Sequence, residues 1–169
     1  LIPRQVYEAV GMPLPVFIKW DDSEYSLRAR DAGHATVSFP GAAVWHVSWA
    51  DKDDFSDWQA YFHGRNRWVA ALLHSPYPHG GKFVIDSWMH SFKQLLTMRY
   101  YPSELYFMAL DDVKKGPSAL HPMMGTRLGE VRATAAEFAE TTIIRDPEAM
   151  PEPLSTVDIS PTQTRPPGW

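Results

Sequence analysis

The spacing of apolar residues changes near residue 53, and this change constrains the fold more than any other feature of the chain. Before that point, short apolar runs alternate with turn residues, a pattern typical of short strands and loops. After it, apolar residues recur every three or four positions, as they do on one face of a helix. The two patterns together predict a sheet-bearing front part followed by a back part of packed helices.

The front part, residues 1–52, is predicted to be the second half of an α/β or α+β domain. Prolines disfavour helix over 13–20, so we expect an extended stretch there. Acidic capping residues then predict a helix over 22–33 that ends at its glycine. Two short strands are predicted to follow, over 35–39 and 42–47.

The back part, residues 53–141, is predicted to be helical, and residues 142–169 form a proline-rich tail that we expect to be extended or disordered. Asp54 or Ser56 is expected to cap the first helix. Ordinary helix packing is the favoured interpretation of the apolar segment 82–107, although it could also contact a membrane surface or a partner subunit. Four apolar groups define the predicted helices: Trp58, Phe62, Val69 and Leu72; Ile85, Trp88 or Met89, Phe92 and Leu95; Leu105, Met108 and Ala109; and Leu120, Met124, Leu128, Val131 and Phe138.

Composition narrows the classes of function. The 169 residues carry a net charge of -4, which argues against a nucleic-acid-binding protein, since such proteins present a basic face. The absence of cysteine excludes disulfides, thiolate metal sites and cysteine nucleophiles. No apolar run approaches the roughly 18 residues that a membrane-spanning helix requires. The chain begins at Leu1 without an initiator Met or signal-peptide pattern, so we expect it to be a portion of a longer protein.

The densest candidate for chemistry is an acidic cluster at a predicted strand-to-helix junction. Asp21, Asp22 and Glu24 lie within four residues, and mutual repulsion makes one of them a better proton acceptor, which suits a general base. Trp20 stands beside them and offers a face on which a sugar ring can stack. The alternative interpretation is a solvated acidic turn in which Asp22 or Ser23 caps the helix.

Two further positions could contribute to a site. His46 lies near the end of the second predicted strand, where a neutral imidazole could bind a divalent cation, although a structural role is the commoner one for such a histidine. Arg65 shares the apolar face of the first back-part helix. It could point inward and hold a phosphate group, or it could pair with Asp57 on the same helix.

The order and spacing of several residue groups resemble a known family. The groups lie at 17–22, 40–46, 49, 51–54, 57–63 and 65–67. Together they resemble the bacterial galactofuranosyltransferases, family 2 glycosyltransferases of the kind that build the cell-wall galactan of mycobacteria and their relatives. The resemblance is dense over residues 13–73 and loose over 80–140.

The resemblance implies an inverting transferase with a GT-A fold that uses UDP-galactofuranose and a divalent cation, Mn²⁺ or Mg²⁺. It assigns a role to each of six residues: Asp22 as general base, Asp21 as an acceptor-binding residue, His46 as a metal ligand, Trp20 and Trp49 as walls of the acceptor groove, and His63 as a neighbour of the reacting groups. The Asp-Lys-Asp triplet at 51–53 is interpreted as part of a helix start, because a nucleotide-binding triplet should precede the acidic cluster.

The family's nucleotide-binding region and most of its metal ligands lie upstream of the acidic cluster, so we expect this chain alone to bind UDP and metal weakly and to be inactive. The expected partners are UDP-galactofuranose and a lipid-linked glycan acceptor, with a second copy of the chain as a further alternative. We expect a cytoplasmic location on the inner face of the plasma membrane. Two other functions remain open: another family 2 transferase, moving rhamnose or glucose, and a non-catalytic carbohydrate-binding module.

Overall fold

A computed structural model describes residues 2–38, 40–41, 45, 56–142, 144 and 146–149 of the chain. His46, Trp49 and the triplet at 51–53 lie outside the described residues, as does nearly all of the strand predicted over 42–47 and of the predicted tail.

Helices dominate the described part of the chain. The α-helices are α1 (Arg4–Val10), α2 (Asp21–Asp31), α3 (Gln59–His74), α4 (Lys82–Leu96), α5 (Tyr100–Lys114), α6 (Pro117–Met123) and α7 (Arg127–Thr134). Short 3₁₀ turns follow at Ala135–Glu137, Ala139–Thr141 and Pro147–Ala149.

The front part contains helices but no strand among its described residues. Helix α2 ends as predicted, because Gly33 adopts a φ of 86° and donates its N–H to the carbonyl of Arg30. Residues 35–38 have no regular structure, so the strand prediction is wrong there. The described residues contain no second strand with which residues 35–38 could pair. A strand without a partner leaves its backbone polar groups without hydrogen bonds. The α/β GT-A architecture therefore stays a prediction.

The hydrophobic core forms where α3 crosses α5. Ala60, Tyr61 and Phe62 of α3 are buried against Leu105 and Ala109 of α5. Gly64 brings the two helices close, since a Cβ at this position would lie 2.6 Å from the ring of Tyr106. Val131 of α7 and Tyr101 of α5 complete the buried set. The apolar spacing therefore predicted the two central helices correctly, but it was wrong to place Leu72 on the packed face, because this side chain is 70% exposed.

A buried carboxylate joins three helices at the far end of this core. Asp112 of α5 has no exposed surface and accepts hydrogen bonds from the Tyr61 hydroxyl at 2.7 Å and from Arg127 Nε at 2.6 Å. Lys115 adds an ion pair at 2.8 Å. Burial acts to raise the pKa of Asp112, but the hydrogen bonds from Lys115, Tyr61 and Arg127 outweigh it, so the pKa lies below its ordinary value. Burial and the bond to Asp112 raise the pKa of the Tyr61 hydroxyl.

Helix α4 turns most of its large apolar side chains outward. Ile85, Trp88, Met89 and Phe92 are each more than half exposed, whereas Ser91 of the same helix is buried. The expectation of ordinary packing for this segment is therefore wrong for these four side chains within the described chain. None of the helices in the described ranges is long and apolar enough to cross a membrane.

Candidate functional site

The loop that leads into the acidic cluster has an unusual backbone. Phe17, Lys19 and Trp20 all have positive φ, at 76°, 65° and 68°. Side chains other than glycine adopt this left-handed region at a cost of about 1–2 kcal/mol per residue. The predicted extended stretch is thus non-helical as expected but sharply bent just before Asp21. Strain of this kind persists only where surrounding contacts hold the backbone, and it concentrates at functional sites.

Two buried side chains of α3 hold this loop in place. The Asn66 amide nitrogen lies 3.0, 2.6 and 3.0 Å from the carbonyl oxygens of Val16, Ile18 and Lys19, to which it donates. Arg65 donates to the Val16 carbonyl at 2.7 Å and to the Asn66 side-chain oxygen at 2.9 Å. Each of the two α3 residues is 2% exposed. We call Arg65 and Asn66 the loop clamp.

A third residue of α3 contacts the end of the loop. The indole N–H of Trp20 donates to Nδ1 of His63 at 3.3 Å, and the two rings lie 5.7 Å apart between centroids. The structure therefore brings together two of the residues singled out in the sequence, although 43 positions separate them. Both side chains are only half-buried, so the pair remains accessible from solvent.

Trp20 is the N-cap residue of α2, which places the acidic cluster in the first turn of that helix. No side chain among the described residues caps this helix, contrary to the alternative in which Asp22 or Ser23 does so. Instead, Asp22 accepts hydrogen bonds at Oδ1 from the backbone N–H of Ser23 at 2.7 Å and from its hydroxyl at 3.3 Å. These bonds orient an exposed carboxylate, and negative charge in this first turn is complementary to the helix dipole.

The third carboxylate of the cluster has a structural role. Glu24 is 2% exposed, and its Oε1 accepts from Arg28 at 2.7 Å and lies 3.1 Å from the His74 imidazole. Arg28 also donates to the carbonyls of Val10 and Met12, which ties α1 to α2. The acidic cluster thus separates into an accessible pair, Asp21 and Asp22, and one buried anchor.

Arg65 points inward as the sequence suggested, but its contacts differ from those predicted. Its guanidinium lies over the rings of Phe62 and Tyr61, at 5.1 and 5.6 Å from their centroids. The Asp57 carboxylate, the suggested intrahelical partner, accepts from the Gln59 backbone N–H at 2.8 Å at the start of α3. Asp57 therefore supplies a contact at the start of α3. Of the two expected capping residues, Asp54 lies outside the described residues, and Ser56 accepts a hydrogen bond from Arg99 instead.

A divalent cation has no visible ligand set in the part of the chain that the structure describes. Its residues contain no group of three His, Asp or Glu side chains that could hold a metal ion. His46, the predicted ligand, lies outside the described residues. The described residues therefore do not fit a metal site on their own, and we derive no chemical step through one.

Sequence reasoning missed the role of Asn66. The residue belongs to a buried stretch of α3 in which Arg65 and Asn66 interrupt an otherwise apolar face. Adjacent polar side chains on a core-facing helix surface must find hydrogen-bond partners, and this signal could have identified the loop clamp.

Comparison with known proteins identifies the class of protein. Residues 1–71, which include the strained loop, the acidic pair and the loop clamp, match the profile described as glycosyltransferase-like family 2. Residues 83–167 match a second profile, and by this match over half its length the chain belongs to the family described as galactofuranosyltransferase-2, domain 3.

Two curated relatives share this family description. The chain is 41% identical over 151 residues to galactofuranosyltransferase GlfT2 of Mycolicibacterium smegmatis and 40% identical over 156 residues to that of Mycobacterium tuberculosis. The alignments cover 89% and 91% of this chain but only 23% and 24% of the relatives, so the chain spans about a quarter of their length.

Proposed function

We propose that this chain forms the acceptor-side part of an inverting galactofuranosyltransferase, with Asp22 as the general base. The observation that carries the proposal is the accessible Asp21–Asp22 pair at the start of α2, presented by a strained loop that Asn66 holds through three backbone carbonyls. The names of the relatives support galactofuranose as the transferred sugar, and we propose UDP-galactofuranose as the donor.

The proposed reaction consists of one proton transfer and one displacement at the anomeric carbon of the donor. The acceptor hydroxyl oxygen attacks the anomeric carbon of the donor from the face opposite the UDP, and the bond from that carbon to the diphosphate oxygen breaks with its electrons. Asp22 takes the proton from the attacking hydroxyl, which makes the oxygen a stronger nucleophile. Attack from the opposite face inverts the configuration at the anomeric carbon.

The other residues of the site would hold the acceptor in position. Trp20 offers an aromatic face, and its N–H is fixed by His63, so the ring orientation is set before the sugar binds. Asp21 is half-buried beside Asp22 and is suited to accept hydrogen bonds from sugar hydroxyls. Trp49, which lies outside the described residues, is proposed as a further wall of the acceptor groove.

The diphosphate of the donor calls for a divalent cation, and the described residues alone do not form a binding site for one. Mn²⁺ or Mg²⁺ would offset the charge that develops on the departing UDP. His46 remains the proposed ligand from this chain, with the other ligands outside it. The prediction that the isolated chain binds UDP and metal weakly is tested by calorimetric titration, in which micromolar binding would contradict it.

We also propose that the protein acts on a lipid-linked glycan at the inner face of the plasma membrane. The exposed apolar side chains of α4, with Lys93 on the same helix, support contact with an anionic membrane surface.

A hybrid enzyme tests the catalytic proposal. Residues 1–169 of this chain replace the matching segment of a full-length galactofuranosyltransferase, and turnover is measured with UDP-galactofuranose, UDP-glucose and dTDP-rhamnose. We expect transfer from UDP-galactofuranose, and we expect Asp22→Asn to lower kcat by about 10²-fold or more, because the amide cannot take the proton. The acceptor KM should change little.

Asp111→Asn is the matched control. Asp111 is an exposed carboxylate of α5 that pairs with Lys114, so its neutralisation should leave turnover unchanged. Full turnover by the Asp22→Asn hybrid would support a non-catalytic carbohydrate-binding module, and preference for another donor would support a different family 2 transferase.

A further inference from the structure

A groove lies between α2, the C-terminal half of α3 and the start of α4, and Trp20 forms one of its walls. Its cavity volume is about 360 Å³, within the range of small-ligand sites, roughly 300–1,000 Å³. Aromatic, aliphatic and cationic side chains line it together: Trp20, Leu27, Arg67, Tyr77, Lys82 and Phe83. We call it the α2–α3 groove.

Tyr77 forms an exposed aromatic wall of this groove, and a glycine turn supports its ring. The side chain is 65% exposed, although a tyrosine of this size would normally bury more of its ring. The ring packs on the backbone of Gly81, where an added Cβ would lie 3.1 Å from the ring atoms. Gly80 and Gly81 both have positive φ, so this turn favours glycine at both positions, and a larger residue at 81 would displace the ring.

Cationic groups stand beside the aromatic ones. The Arg67 guanidinium lies 4.8 Å from the centroid of the Phe83 ring, which fixes it at the groove wall. Lys82 begins α4 at the same edge. Aromatic faces combined with hydrogen-bond donors suit a neutral, hydroxyl-rich ligand, whose rings stack and whose oxygens accept hydrogen bonds.

We propose that the α2–α3 groove binds the inner sugars of the oligosaccharide acceptor, those beyond the sugar that carries the reacting hydroxyl. The inference rests on the proposed function and extends it to the substrate class. Trp20 belongs both to the groove and to the site of the acidic pair, since it is the N-cap of the helix that Asp21 and Asp22 begin. On this proposal, a glycan whose reacting end lies at Asp22 continues past the indole ring of Trp20 toward Tyr77.

The proposal predicts that affinity depends on acceptor length. We expect the unmodified chain to bind a galactofuranose hexasaccharide about 3- to 10-fold more tightly than a disaccharide, the range expected for one or two aromatic contacts. Isothermal titration calorimetry on this chain measures both affinities. Tyr77→Ala should remove the difference, whereas Tyr77→Phe, which keeps the ring, should retain it.

A second variant and a control keep the test independent of Tyr77. Ala71→Phe fills the floor of the groove and should also abolish the length dependence. Tyr100→Ala removes an exposed tyrosine that does not line the groove and should preserve it. Equal affinity of the unmodified chain for both saccharides, or length dependence that survives both Tyr77→Ala and Ala71→Phe, would overturn the proposal.

Failure of the groove and failure of the base role are distinguishable. Asp22→Asn should keep the length dependence of binding in calorimetry while it lowers kcat in the hybrid enzyme. Full turnover by the Asp22→Asn hybrid would contradict the proposed role of Asp22 as base, and it would leave the proposed role of the groove in binding unaffected.

Discussion

Helix α3 contributes to two carboxylate-centred regions that are held in different ways. At Asp112, the donors contact the carboxylate itself, which Tyr61, Arg127 and Lys115 surround in a fully buried position. At Asp22, the donors of α3 contact the backbone of the preceding loop, and the carboxylate stays exposed. In the first arrangement, the oxygens of Asp112 accept hydrogen bonds from within the protein. In the second, the carboxylate of Asp22 remains available to a ligand.

On the proposed function, this one helix serves both folding and chemistry at neighbouring positions. Tyr61 faces the buried network, His63 contacts Trp20, and Asn66 holds the loop. A rigid helix anchored in the core keeps a strained loop in a geometry that it would not adopt alone. We therefore expect substitutions at Asp112 to change stability, and substitutions at Asp22 to change turnover.

The largest effect on stability is expected from Asp112→Ala. Removing the carboxylate leaves the Tyr61 hydroxyl buried without its acceptor and leaves the partly buried Arg127 with Glu130 as its remaining ion-pair partner among the described residues, and breaking a buried pair typically costs about 3–5 kcal/mol. Urea unfolding of the chain measures the loss. Asp111→Ala, at an exposed neighbour on the same helix, should stay within about 0.5 kcal/mol of the unmodified chain. Equal effects at 111 and 112 would remove the contrast between the two regions.

Asn66→Ala should have the next largest effect. It removes the amide donor from the carbonyls of Ile18 and Lys19, while Val16 keeps its bond from Arg65, and unsatisfied buried groups of this kind cost about 1–3 kcal/mol. In the hybrid enzyme, kcat should fall as well, because the acidic pair loses its support.

A second substitution separates loop geometry from general packing. Lys19 has a φ of 65°, so Lys19→Gly should recover part of the kcat lost in Asn66→Ala, because glycine adopts this conformation without strain. Lys19→Ala removes the same side chain without relieving φ and should give no recovery. Equal recovery by both would show that Asn66 does not act through the loop backbone.

The pH dependence of stability sharpens the same contrast. The lowered pKa of Asp112 means that its contribution is present above its ordinary value of 3.8 and is lost as pH falls through the folded-state pKa. The raised pKa of Tyr61 acts at the other end, so its contribution is present below 10.0 and is lost as pH rises beyond it. The difference in unfolding free energy between unmodified and Asp112→Asn chains should stay constant from about pH 5 to 8 and shrink in stronger acid. A difference that persists unchanged at pH 2 would contradict this linkage.

Lys115→Ala should have the smallest effect. The Lys115 side chain is 54% exposed, and a pair with one exposed partner contributes about 0–1 kcal/mol after solvent screening. Denaturation at low and high salt checks this, and a loss comparable to that of Asp112→Ala would show that Lys115, rather than Tyr61 and Arg127, holds the carboxylate.

Much of the helical back part could be predicted from sequence, because apolar spacing records which face of a helix is buried. That spacing identified α3, α4 and α5. The same spacing predicted one helix where the structure has two, α6 and α7, because Pro122 and Gly125 near the break were not taken into account. It also gave the wrong orientation for α4, because an apolar stripe does not reveal whether a partner within the chain covers it.

The candidate site was predictable only in part. The sequence singled out Trp20, Asp21, Asp22 and His63 as candidates, and the structure shows a contact between Trp20 and His63. Their roles stay predictions. The positive φ at Phe17, Lys19 and Trp20 was not, because these residue types carry no local preference for that region and adopt it only under the contacts of Asn66. The structural role of Asp112 depends on Tyr61, 51 positions away, so no local pattern could separate it from Asp22.

The most direct test of the account is kcat per folded molecule for the Asp22→Asn hybrid, measured beside its free energy of unfolding. We expect turnover to fall by about 10²-fold or more while the free energy of unfolding changes by less than about 0.5 kcal/mol, because this carboxylate is exposed and available for chemistry. Undiminished turnover, or a loss explained entirely by unfolding, would contradict the claim that the start of α2 presents the base.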